Sequence, residues 1–386
     1  MDATARKVLC AGILTGVIGS KNQVTGAQET AKNFISESLS IFESLNYTNE
    51  ATEARAELAL CYWRTGEYNE ARDILKETLS RLVADSELKA RVLIRCALVE
   101  RGAARYTDSL RILIDNAPLF GKVKNNIVKG SYHSTLANVL ENLWEIERQQ
   151  EYVDRAFVEY AAASYHFEQA GHQCYRANVE NNLGFLHFKA GRYKEAHEHL
   201  NRARRIVIYL KDSGTLAQYD KTRTRVFLAE GNNAEAEKAA RASIMILEQG
   251  GQSGLLAEAL ITHGTALARL RYYSQSYATL QHAIEVARES GSLSRAGEAA
   301  LILIDELGEH LAPRGVTSNL TGCSIKDIRR YEHDLIKDAL LRAEGSITHA
   351  AHLLGTSHQR VSYIIESRHR DLLKVRKPKK QRPRRK

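Results

Sequence analysis

Small and apolar residues recur along this chain with a step of 40, and the recurrence predicts a series of paired helices. Gly191-Arg-Tyr-Lys-Glu-Ala196 returns in character as Gly66-Glu-Tyr-Asn-Glu-Ala71 and as Gly231-Asn-Asn-Ala-Glu-Ala236. The same frame holds Gly26 to Ala31, Glu151 to Ala156 and Arg271 to Ser276. From Ala156 to Ala196, Ala236 and Ser276 the step is 40 each time, as it is from Ala31 to Ala71. Twelve positions before the anchor stand Gly19, Ala59, Gly184 and Gly264; seven after it stand Ser38, Ala163, Ala203, Ser243 and Ala283. Small side chains at fixed offsets let two antiparallel helices approach closely, and each pair leaves an apolar face that only the next pair can bury.

From about residue 8 to 308 these marks resemble tetratricopeptide repeats. The resemblance implies an all-α fold, a helical-hairpin solenoid of about seven repeats over residues 1–308. A step longer than that family's usual 34 residues implies longer helices. The stretch Leu88 to Gly121 fits least well, and the 85 residues between Ala71 and Ala156 hold two units with insertions. Proline occurs only four times, and not at all in the first 117 residues, in keeping with helix throughout. Arg6 and Lys7 before the apolar run Val8 to Ile18 have the outline of a secretory signal. The run aligns better with the first helix of a repeat, Ile18-Gly19 and Ala31 matching Leu58-Ala59 and Ala71.

After Leu311 the pattern changes. Pro313, Gly315, Ser318, Asn319 and Gly322 mark a linker over residues 309–324. Ile328, Tyr331, Leu335, Ile336, Ala339 and Leu340 then predict a helix from Ile325 to Ala343, stopped at Gly345. Ser346 caps a short helix, Thr348 to Leu354, and Gly355 ends it. Ser357 caps a third, His358 to Ser367, with Val361, Ile364 and Ile365 on its inner face. Two short helices joined by a turn of about three residues follow the helix-turn-helix plan.

Residues 325–367 resemble the Fis-type helix-turn-helix of bacterial enhancer-binding activators. The matching residues are Glu332, Leu335, Ile336, Ala339 and Leu340, then Gly345, the pair Ala350-Ala351, and Leu354-Gly355. The resemblance implies duplex DNA as partner, with Ser346 and Thr348 at phosphates and Ser357, His358, Arg360, Ser362 and Tyr363 facing the major groove. The forked donors of Arg360 suit guanine O6 and N7, although the family usually has threonine there. The family docks as a dimer on paired half-sites, which implies a homodimer, formed through Ile325 to Ala343.

Charge sharpens this picture. The chain carries a net +9, yet residues 368–386 hold eleven Lys/Arg against one acid, leaving 44 basic and 45 acidic residues elsewhere. The excess is a disordered basic tail, in which Lys374, Arg376, Lys377, Lys379 and Lys380 would add phosphate attraction through counterion release. Pro378 and Pro383 keep it extended.

Five scattered cysteines without a Cys-x-x-Cys pair read as reduced packing residues of a cytoplasmic protein. No apolar run reaches membrane-spanning length. Gly12, Gly16, Gly19, Ser20 and Lys21 lack phosphate-loop spacing, and no carboxylate or cysteine completes a metal set with His349, His352 and His358. No cofactor, metal or catalytic activity is expected. The reading is a cytoplasmic, nucleoid-associated transcriptional regulator whose solenoid binds a protein, peptide or small ligand and whose C-terminal module binds DNA. The alternative is a non-enzymatic interaction scaffold whose basic tail binds nucleic acid non-specifically.

Overall fold

A computed structural model describes residues 3–21, 24, 26–82, 84–250, 253–307, 325–343, 345–354 and 358–375. All regular elements among them are helices, and the chain divides into two compact units, residues 1–213 and 214–386. The fold is a helical-hairpin repeat solenoid.

Unit 1 contains five hairpins. They pair α1 (Ala3–Lys21) with α2 (Ala27–Ser44), α3 (Thr48–Thr65) with α4 (Tyr68–Ser80), and α5 (Glu87–Gly102) with α6 (Tyr106–Asp115). After the short α7 (Ala117–Lys122), α8 (Asn126–Glu147) pairs with α9 (Gln150–Gln169) and α10 (Gln173–Lys189) with α11 (Tyr193–Tyr209). The irregular stretch between Ala71 and Ala156 thus contains an extra short helix and the 22-residue α8.

The anchor residues explain the pairing. Ala31, Ala71, Ala156, Ala196, Ala236 and Ser276 all have zero exposure, and each lies in the first turns of the second helix of a hairpin. Where glycine stands twelve residues earlier, the first helix leaves room for the second. A β-carbon at Gly184 would lie 2.6 Å from Leu200 Cγ and 3.1 Å from the Ala196 carbonyl, and one at Gly264 would lie 2.6 Å from Leu280 Cγ. Serine is admitted to these seams because its hydroxyl finds a first-helix carbonyl: Ser38 donates to Ala5 (2.8 Å), Ser109 to Ala97 (2.7 Å) and Ser276 to Gly264 (2.7 Å).

Unit 2 continues with α12 (Ser213–Ala229) before α13 (Asn233–Gly250), then α14 (Ser253–Arg269) with α15 (Tyr273–Glu289), and α16 (Leu293–Leu307). Beyond it lie α17 (Ile325–Arg342), α18 (Ile347–Leu353) and α19 (His358–Arg368), followed by a 3₁₀ turn, Arg370–Lys374. Gly345 takes φ +79° between α17 and α18, a left-handed conformation that costs glycine nothing.

The predicted linker 309–324 lies outside the described residues, but the module does not stand apart from the array: Ala300 and Leu301 of α16 share one core with Ile336, Leu354, Val361 and Ile364. The module also runs past residue 367, because Leu372 of the 3₁₀ turn is buried in that same core. Burying a leucine is worth about 1.5–3 kcal/mol, enough to hold a short turn that basic neighbours would otherwise draw into water.

Candidate functional site

Two surfaces are candidates. The first is a groove of about 590 Å³ across the first helices of four hairpins in unit 1, α3, α5, α8 and α10. Leu60, Arg91, Ile94, Arg95 and Leu98 come from α3 and α5; Ile127, Ser131, Ser134 and Asn138 from α8; Tyr175, Asn178 and Val179 from α10. None of the residues lining it is acidic.

Its walls are held from behind. Asn125 caps α8 by accepting from the Ile127 amide (2.9 Å), which fixes the half-exposed Ile127 at the rim. Gly130 leaves room for Phe167, whose ring would lie 2.7 Å from a β-carbon there. Phe167 in turn meets Tyr175 edge-on at 5.2 Å, and Tyr175 stacks flat on His172 at 3.9 Å. Below the groove, Tyr160 is fully buried and its hydroxyl donates to Glu141 (2.9 Å), while Lys189 bonds Glu141 at 2.6 Å. Burial first, and the Glu141 charge second, push the Tyr160 phenol well above its ordinary range, so it stays a donor.

The second surface is the C-terminal module. α17 packs on α18, and α18 on α19. On α19, His358, Ser362 and Tyr363 stand opposite the buried Val361, Ile364 and Ile365; His358 and Tyr363 are exposed and Ser362 is half-buried. On α18, Thr348 is exposed and the Ser346 hydroxyl accepts weakly from the His349 amide (3.4 Å), as an N-cap does. Ser362 Oγ bonds Glu366 at 3.3 Å, so one of the predicted DNA-facing hydroxyls has an internal partner. Lys374 is exposed at the end of the 3₁₀ turn rather than part of a free tail. Ser357, Arg376, Lys377, Lys379, Lys380 and the side chain of Arg360 lie outside the described residues.

Sequence reasoning missed a polar clamp at the module's edge. Glu332, 1% exposed, accepts from His369 (2.8 Å) and Arg368 (3.2 Å). Beside it, His333 bonds Asp334 (3.0 Å) and Asp371 (2.7 Å), and these hydrogen bonds raise its pKa. The clamp ties the end of α19 and the turn to α17. Its signal was present as Glu332 and His369, whose separation of 37 residues hid it.

Among the described residues no group of His, Cys, Asp or Glu could hold a metal, and no helix is long and apolar enough to cross a membrane. Cys96 is pushed up to about 12 by burial, which leaves it an unreactive packing thiol.

No protein-family model and no curated protein matches the chain. Solved structures do. A Rap protein complexed with Competence and Sporulation Factor has a TM-score of 0.57 at 12% identity, covering 96% of this chain and 100% of that one. The apo form of RapI has a TM-score of 0.58 at 13% identity, covering 95% and 98%. A signal transduction ATPase with numerous domains from Pyrococcus horikoshii, which has a tetratricopeptide repeat sensor, reaches 0.64 at 12% identity; the match spans 87% of this chain and 51% of that one. The chain therefore has the repeat fold of these proteins. The matches give no support to the Fis-type resemblance, to DNA binding, to a homodimer or to nucleoid association.

Proposed function

We propose that this protein is a non-enzymatic interaction scaffold whose unit 1 groove holds an extended segment of a partner protein. The observation that carries the reading is the groove itself, where apolar side chains from four helices surround the hydroxyls of Ser131 and Ser134. An extended peptide offers both backbone amides for such groups and side chains for such walls. The Rap structure with Competence and Sporulation Factor is consistent with ligand holding by this fold. Selection of random dodecapeptides on the full chain, repeated on Ile127→Glu and Tyr175→Ala chains, tests it. Binders recovered on the parent chain should be lost on both variants. Binders retained equally by all three would place recognition elsewhere and end the reading.

A second role rests on a separate observation. α17 packs on α18 and α18 on α19, and on α19 both His358 and Tyr363 are exposed, Tyr363 by 66%. On this reading the module docks on duplex DNA, with phosphate attraction supplied by the basic segment from residue 374 onward. Mobility shifts with a random duplex pool separate the possibilities. A selected sequence whose binding is lost on Arg360→Ala supports a DNA reader. Sequence-blind binding that tracks salt and vanishes with residues 376–386 leaves only the scaffold.

A further inference from the structure

We infer that the unit 1 groove selects acidic peptides, seating a carboxylate at the Arg91–Arg95 end and an aromatic or branched aliphatic side chain at the Tyr175–Ile127 end. The inference rests on the groove reading above and adds the chemistry of its occupant.

The cationic end is built on α5. Arg91 and Arg95 lie one turn apart and both line the groove. Each is oriented by a carboxylate, Arg91 by Glu87 at 2.7 Å and Arg95 by Glu57, and both bonds are made through Nη2. A guanidinium has five donors, so this use of one nitrogen orients the fork and leaves its other edge to an incoming acceptor. Glu57 is 8% exposed, and Glu87, which also accepts from Asn125 Nδ2 (3.0 Å), stands outside the lining, so the lining itself presents two guanidinium groups and no carboxylate. The chain's own basic segment, residues 368–386, carries the wrong sign for this end.

The other end is apolar and rigid. Tyr175 is 42% exposed and Ile127 38%, large values for residues whose backs are packed against Phe167 and the α8 cap. One face of the Tyr175 ring is stacked on His172, and Phe167 meets the ring at a steep angle. A rigid aromatic with one open face loses little entropy when a second ring or a branched aliphatic covers it. Ser131, Ser134 and Asn138 follow one another along α8, C-terminal to Ile127, at i, i+3 and i+7. They form a polar stripe along which a peptide backbone can be hydrogen-bonded without regard to its side chains.

The dodecapeptides recovered on the full chain decide the matter. They should be enriched in sequences with an acid separated by several residues from Phe, Tyr, Leu or Ile. A fluorescein-labelled copy of the most enriched peptide should bind Arg91→Gln/Arg95→Lys, which keeps a cation beside the buried Glu57, at least about tenfold more weakly. Thermal melting that matches the parent chain shows that the double variant is folded. Enrichment of basic or uncharged peptides, still dependent on Ile127 and Tyr175, overturns the charge assignment while the groove stands. Acidic peptides indifferent to both arginines overturn it too. Binders that ignore Ile127 and Tyr175 overturn the groove.

Discussion

In unit 2, Lys221, Glu258 and Arg295 join α12, α14 and α16 in an unbroken ionic row, with Glu258 held from both sides. In unit 1 the row is broken. Glu57 and Arg95 link α3 to α5, Glu141 and Lys189 link α8 to α10, and the span between these rungs is the groove. The two units repeat one hairpin plan, yet in unit 2 one carboxylate bridges successive first helices. In unit 1, among the described residues, the ion pairs between first helices stop at α5 and resume at α8, with apolar surface between them. Function in such an array is therefore set by which rungs are missing, not by the hairpins.

The sharpest way to break this contrast is to remove Glu258. Glu258→Ala strands Lys221 and Arg295 together in a partly dry site and should cost unit 2 about 3 kcal/mol, read by urea unfolding. Ile127→Glu in unit 1 puts an acid in the first turn of α8 at an exposed position and should shift stability by no more than about 0.5 kcal/mol. Equal losses would mean that the groove is structural and the contrast false.

A medium effect tests the shared plan. Gly184→Ala and Gly264→Ala each force a methyl into a leucine, so each should cost about 1–3 kcal/mol and by similar amounts in the two units. A cost confined to one unit would show that its hairpin seams differ.

The pH response tests sign rather than size, and its sign differs between the units. Burial, with the charge of His199, pushes His187 of unit 1 from 6.5 down to about 4. The unfolded chain takes up a proton there that the folded chain refuses, so unit 1 loses stability as pH falls from 6.5 toward 4. His187→Gln should flatten thermal melting over that window. His333 of unit 2 is raised instead, by its bonds to Asp334 and Asp371. Its contribution is fully present below 6.5 and is lost as pH rises through the raised value. Amide exchange in residues 370–374 should be slower at about pH 5 than at about pH 8 after correction for intrinsic rates. Exchange independent of pH would remove His333 from the clamp.

The hairpins were legible because their cause is local. Anchor and gap are twelve residues apart in four repeats, as when Ser276 bonds the carbonyl of Gly264, and small residues recur there at the same offset. The groove was not legible. Its residues run from Leu60 to Val179, each repeat adds different side chains, and no periodicity marks an inner face that varies by design. In the module, Val361, Ile364 and Ile365 announced the inner face of α19 at helical spacing and are all buried. Leu372 was passed over because it stands among Arg370, Lys374 and Arg376, and the charges around it concealed the apolar residue that anchors the turn.

The seat that α16 provides also limits how this chain can be recombined. A genetic exchange that moved residues 325–375 onto another protein would leave Ala300 and Leu301 behind. It would expose Ile336, Leu354, Val361 and Ile364 on the transplant, and the donor's last repeat helix would end on a bare apolar edge. Gly297 adds a fit of shape, since a β-carbon there would lie 3.3 Å from the Leu354 carbonyl. An exchange that keeps α16 with the C-terminal module keeps this shared core whole, and one that cuts between them opens it on both sides.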